Sequence, residues 1–157
     1  MDVLKSFLPV SEGWLPIWQL IVASAATFNA IQNYTTLKLT QRLYARTPHL
    51  GVFATPLNRE FMLKDSAIIV NPLQARTFGT WTITSAVIRA YAAYHIHEKT
   101  IYDICIISYL IAFSHFTSEL LIFKTSKLNG PVLSPVIVSS VSLVWMILQY
   151  DFYLTKA

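Results

Sequence analysis

The residues best suited to chemistry in this chain fall on one short stretch. Cys105, Ser108, Ala112, His115 and Glu119 recur at alternating spacings of three and four, which sets them along one face of a helix. An imidazole and a carboxylate four residues apart are neighbours on such a face. With a substrate in reach, that pair could move protons as general acid and base. The same stripe has a structural reading: small and polar residues let membrane helices approach closely, with His115 hydrogen-bonded inside the bundle. The rest of the catalytic inventory is thin. His95 and His97 could form two arms of a metal site, but no third ligand lies nearby in sequence, so a solvated turn is the simpler reading. The histidines are His49, His95, His97 and His115, too few and too scattered for a membrane di-iron centre. Gly13, Gly51, Gly79 and Gly130 are isolated, which excludes a phosphate-cradling loop. No Gly-x-Ser-x-Gly elbow or Cys–His nucleophile pairing is visible. A single cysteine, Cys105, allows no intrachain disulfide and sits in an apolar run where a thiol usually packs.

These residues must be positioned by elements that suit lipid better than water. Of 157 residues, 54 % are hydrophobic and 13 % charged, against about 25 % charged in ordinary globular domains. A chain this short buries too little volume to hide that apolar surface, and disorder would need the opposite composition. The net charge of +4 comes from singly scattered Lys and Arg, so the basic footprint of nucleic-acid binding is missing.

Four stretches, approximately 15–34, 77–94, 101–123 and 131–150, are long enough to cross a bilayer, which takes about 20 apolar residues. Aromatic residues gather at their ends, among them Trp14, Trp18, Tyr34, Tyr94, Tyr102 and Tyr150, as interfacial belts do. Asn71-Pro72 offers a cap and a first-turn proline for the second helix, Thr100 with Asp103 a capping box for the third, and Asn129-Gly130-Pro131 a start for the fourth. The expected fold is all-α: one polytopic membrane domain over residues 1–157, a bundle of four transmembrane helices. The first span exceeds the 7–15 apolar residues of a signal core and reads as an uncleaved anchor.

An even number of spans puts both termini on one side. Lys38, Arg42, Arg46, Arg59, Lys64, Arg76, Lys124 and Lys127 flank two connections, whereas Lys5, Lys99 and Lys156 lie opposite. That bias places the basic loops, 37–75 and 124–130, in the cytosol and the termini in the lumen. The sequon Asn33-Tyr34-Thr35 would then face the cytosol and stay unmodified. The connection 37–75 is too long for a turn. Its middle mixes Phe53, Phe61 and Ile68 with charges, which suits a surface segment, a partner-docking segment or a mobile loop.

Ionisable groups inside spans are costly and are usually paired or turned inward. Arg76 and Glu119 each lie about 21.5 residues from a turn centred near His97 and Glu98, so antiparallel helices rising 1.5 Å per residue place them at one height. Arg89 falls within about 3 residues of Asp103 in depth by the same count. Ion pairs that fix helix register are the structural expectation for Arg76, Arg89, Asp103 and Glu119. Asn29 and Gln32, with Ala26 and Ala30, look like packing groups of the first helix.

The wording of the helices adds a resemblance. FNAIQNY (28–34), ARTFGTWT (75–82), AVIRAYAAY (86–94), SYLIAFSHFTSELLIFKT (108–125) and GPVLSPVIVSSVSLVWM (130–146) resemble the fungal ergosterol biosynthetic protein 28 family. The likeness covers all four spans and weakens over 48–71, which looks like an insertion relative to shorter members. It implies a multi-pass protein of the endoplasmic-reticulum membrane acting in sterol synthesis. It implies a non-catalytic scaffold for three enzymes: the sterol C-4 methyl oxidase, the sterol C-3 dehydrogenase/decarboxylase and the 3-keto sterol reductase. The redox cofactors would belong to those partners, and this chain would carry none. Holding successive enzymes together raises local intermediate concentration without chemistry by the tether. Two alternatives stay open: a sterol isomerase using His115 and Glu119, and a sterol-binding or transport module whose polar stripe lines a cavity. The stripe would serve contacts between copies as readily as within one bundle, so a homo-oligomer is also compatible.

Overall fold

The computed structural model describes residues 8–44, 70–126, 128 and 130–155. Every element among them is helical: α1 (Leu15–Thr35), α2 (Lys38–Leu43), α3 (Pro72–Tyr94), α4 (Lys99–Leu121), α5 (Gly130–Leu148) and α6 (Tyr150–Leu154). Most of the long 37–75 connection lies outside the described residues, with His49, Arg46, Arg59 and Lys64; so do Lys5, Lys127, Asn129 and Lys156.

Local signals explain most of the boundaries. Pro16 sits in the first turn of α1, where a missing N–H costs nothing. Asn71 and Gln74 form a reciprocal capping box on α3, each side chain bonded to the other's backbone at 2.9 Å, with Pro72 in the first turn. The expected box on α4 does not form. That helix begins two residues earlier, after Glu98, without a side-chain cap; Asp103 instead accepts from Lys99 Nζ at 2.5 Å and from Tyr150 OH at 2.8 Å. A lysine one turn back and a tyrosine on a neighbouring helix together outcompete a single backbone N–H for that carboxylate. The fourth span is also interrupted: α5 stops at Leu148, and α6 restarts from Tyr150 after Gln149.

The long helices pair unequally. α3 lies most extensively along α1, and α4 along α5, with a lesser α3–α4 contact. Small residues make the α1–α3 approach close. Ala23 and Ala30 of α1 and Ala75, Gly79 and Ala86 of α3 are all buried. A Cβ on Gly79 would come within 2.9 Å of the Tyr34 ring and 3.3 Å of the Ala30 carbonyl oxygen. Tyr34 OH and Thr80 Oγ1, 2.6 Å apart, tie the same pair.

Two apolar clusters hold the assembly. The larger, near the His95–Glu98 turn, gathers Leu15, Val22, Ala92, Ile96, Tyr102, Cys105, Tyr109, Met146 and Tyr153. The smaller joins Leu43, Phe116 and Val132 at the opposite end. Two of the four expected spans, α4 and α5, are long and apolar enough to cross a membrane. Only 22 % of the most apolar window of each is buried, whereas a core helix of a soluble protein would be mostly covered. α1 and α3, at 21 and 23 residues, have the length but carry more polar groups: Gln19, Asn29, Gln32 and Asn33 on one, and Gln74, Arg76, Arg89 and several threonines on the other.

Candidate functional site

Polar side chains inside the bundle form three groups, two of them adjacent and the third at the other end of the helices. The first is built around Gln19, a residue that the sequence pattern does not single out. Its buried amide oxygen accepts from Tyr109 OH at 2.6 Å and from Cys105 Sγ at 3.7 Å, and its Nε2 donates to Met146 Sδ at 3.3 Å. Tyr102 OH donates to the Met146 carbonyl at 2.7 Å, and Trp18 Nε1 to Ser142 Oγ at 2.9 Å. This network stitches α1, α4 and α5 together. An amide in an apolar run signals an interior polar group, but only the neighbours identify its partners.

Arg89 stands beside it. Its guanidinium carbon lies 4.3 Å from the centre of the Tyr109 ring, a cation–π distance. The side chain is buried, and its Nε has no hydrogen-bond partner among the described residues. The expected pairing with Asp103 is absent, because Asp103 is taken by Lys99 and Tyr150.

The third group occupies the α2 end. His115 Nε2 and Tyr44 OH are 2.7 Å apart, and the Tyr44 ring packs edge-on against Phe78. Burial, and then the nearby Glu119 carboxylate, push the Tyr44 phenol well above its ordinary range. Glu119 accepts a hydrogen bond from Thr125 Oγ1. The end of α4 arranges this: Lys124 takes a left-handed φ of 54°, and Thr125 N–H returns to the Glu119 carbonyl at 3.0 Å, as in a helix-terminating cap. Arg76 is exposed and forms no ion pair with Glu119. Equal depth fixed their height but not their facing, and α3 turns its close-packed side toward α1 rather than α4. Tyr44, His115, Glu119 and Thr125 line a cavity of about 580 Å³ together with Phe78 and Trp81. Both members of the acid–base pair expected from sequence therefore line a cavity, each already bonded to a neighbouring hydroxyl.

His95 and His97 diverge rather than converge. His95 Nδ1 meets Glu98 at 2.9 Å, and His97 Nδ1 meets the Tyr153 carbonyl at 2.8 Å. Among the described residues no three His, Cys, Asp or Glu side chains cluster as metal ligands. Asn33 is buried and bonded to Asn29 and to Thr40 Oγ1, the latter at 2.5 Å, so the sequon amide is engaged in joining α1 to α2.

The description "Erg28 like protein" matches residues 15–144, a range that takes in α1 through most of α5. The chain belongs to the Erg28-like family. Ergosterol biosynthetic protein 28 of Candida albicans is 41 % identical over 98 % of both chains. The protein of that name from Saccharomyces cerevisiae is 40 % identical over 90 % of this chain and 84 % of its own. A mouse homolog of ergosterol biosynthetic protein 28 is 36 % identical over 92 % and 87 %. No solved structure matches the chain. Membership of the Erg28-like family ties the chain to ergosterol biosynthesis and fits a component that is not itself an enzyme. The Candida albicans relative matches this chain nearly end to end, so the length of the 48–71 segment is not peculiar to this sequence.

Proposed function

We propose that this protein is a non-catalytic scaffold of the endoplasmic-reticulum membrane that gathers the sterol C-4 methyl oxidase, the C-3 dehydrogenase/decarboxylase and the 3-keto reductase. The observation that carries this reading is the family match along nearly all the described helices. The side chains able to move protons support it, since His115 and Glu119 are each held by a structural partner. Lateral surfaces of α4 and α5, rich in exposed residues such as Ile107, Leu110, Val144 and Ile147, supply area for lipid and for partner helices. In this reading α1, α3, α4 and α5 all cross the bilayer as a single domain. The termini are lumenal, and residues 37–75 and 124–130 are cytosolic, as the basic-residue bias favours. Asp103, His115 and Glu119 serve fold integrity, and exposed Arg76 is left for the membrane surface or a partner.

The test is affinity purification of the full chain from its own microsomes in mild detergent, with quantification of what co-elutes. Recovery of the three enzymes in comparable amounts is expected. Elution of the chain alone from intact membranes would overturn the scaffold.

A further inference from the structure

A second cavity, of about 300 Å³, lies between the two apolar clusters and reaches α1, α3, α4 and α5. Its walls are largely apolar, including Val22, Phe78, Phe116 and Val138. Rim residues Ala25 and Ser134 are exposed, whereas Ser85, Arg89, Tyr109 and Ser139 deeper in are buried. Arg89 is the one charged group among these lining residues. It is 93 % buried, being 7 % exposed, and no carboxylate among the described residues pairs with it. A buried cation is costly unless an anion or several hydrogen-bond acceptors compensate it. Here the guanidinium lies over the Tyr109 ring face, and Nε has no acceptor among the described residues.

From this we infer that the cavity binds a lipid carboxylic acid, with Arg89 holding the carboxylate and the apolar walls holding the hydrocarbon. A guanidinium presents parallel N–H donors that match a carboxylate edge. One positive charge balances one carboxylate, whereas a phosphate monoester carries nearly two negative charges at neutral pH. The volume sits at the small end of ligand pockets, which suits a single hydrocarbon body rather than a two-chain phospholipid. Ser85 and Ser139 also line the cavity and supply hydroxyls to its wall.

The test uses the full chain in phosphatidylcholine nanodiscs and a diazirine-bearing stearic acid, with its methyl ester as the uncharged control. Crosslinked peptides are mapped after illumination. Expected is saturable labelling of cavity-facing positions on α1 and α5 by the acid, with labelling by the ester weaker by roughly tenfold, the worth of a charged hydrogen bond. Excess unlabelled stearic acid should compete. Arg89→Gln should lose the acid preference and Arg89→Lys keep part of it. Ala112→Leu, which leaves Arg89 in place but fills the cavity, should lose labelling by acid and ester alike. Equal labelling of the wild-type chain by acid and ester would overturn the proposal, and that comparison needs no variant to fold. Competition by acetate as effective as that by stearic acid would also overturn it, by showing a site for small free anions.

Discussion

At the residue scale, buried hydrogen bonds rather than charges fix which helix faces which. Gln19 carries the strongest case. Replacing it with leucine removes the acceptor of Tyr109 OH and leaves a buried hydroxyl unsatisfied, which costs about 1–3 kcal/mol. Gln19→Leu should therefore lower the unfolding midpoint of the detergent-solubilised chain, followed by circular dichroism, although the new side chain is more apolar. Unchanged or raised stability would show that the amide is dispensable to packing. Tyr44 gives a pH dependence. Its phenol is raised above the ordinary value near 10 by burial first and the Glu119 carboxylate second. Below that value folded and unfolded chains both keep the proton, so it contributes no slope. Above it the unfolded phenol ionises first, the unfolded state binds fewer protons, and stability falls as pH rises. Tyr44→Phe should make that alkaline decline shallower, and an unaltered slope would mean that the phenol ionises alike in both states.

At the scale of elements, the α1–α3 pair depends on a missing side chain. Gly79 lies within a helix, where glycine costs up to about 1 kcal/mol relative to alanine, yet the Tyr34 ring and the Ala30 carbonyl leave no room for a Cβ without movement. Gly79→Leu should drive the two helices apart and destabilise the chain by about 1–3 kcal/mol through overpacking. A disulfide-trapping pair across α1 and α3 would read the separation directly, and crosslinking as efficient as in the unsubstituted helix would contradict the close approach. The same contact explains why depth alone misassigned the ion pairs. The short link between α3 and α4 fixes where each helix starts, but α3 spends its small-residue face on α1 and α4 packs mainly on α5. Arg76 and Arg89 are thus set by those packing choices, not by the nearest acid at equal height.

For the whole molecule, the decisive quantity is apolar surface that the chain does not cover. α4 and α5 leave most of their apolar windows exposed, and an uncovered patch of that extent marks a lipid or protein interface. The full chain should remain in the membrane pellet after alkaline carbonate washing. Release into the supernatant would mean that partner proteins, rather than lipid, cover these helices.

Composition and local signals were sufficient for the helices of the described residues, for the boundaries of α1 and α4 within two residues, and for its family, because each depends on residue type and near neighbours in sequence. The stripe from Cys105 to Glu119 was legible for the same reason: helical periodicity is a local property. What divided that stripe was tertiary. Cys105 joins the Gln19 network, while His115 and Glu119 line a separate cavity at the other end. Gln19 as a hub, Arg89 over Tyr109 and the interruption at Gln149 all depend on contacts between residues far apart in the chain. Periodicity places a side chain on a face; only packing decides what that face meets.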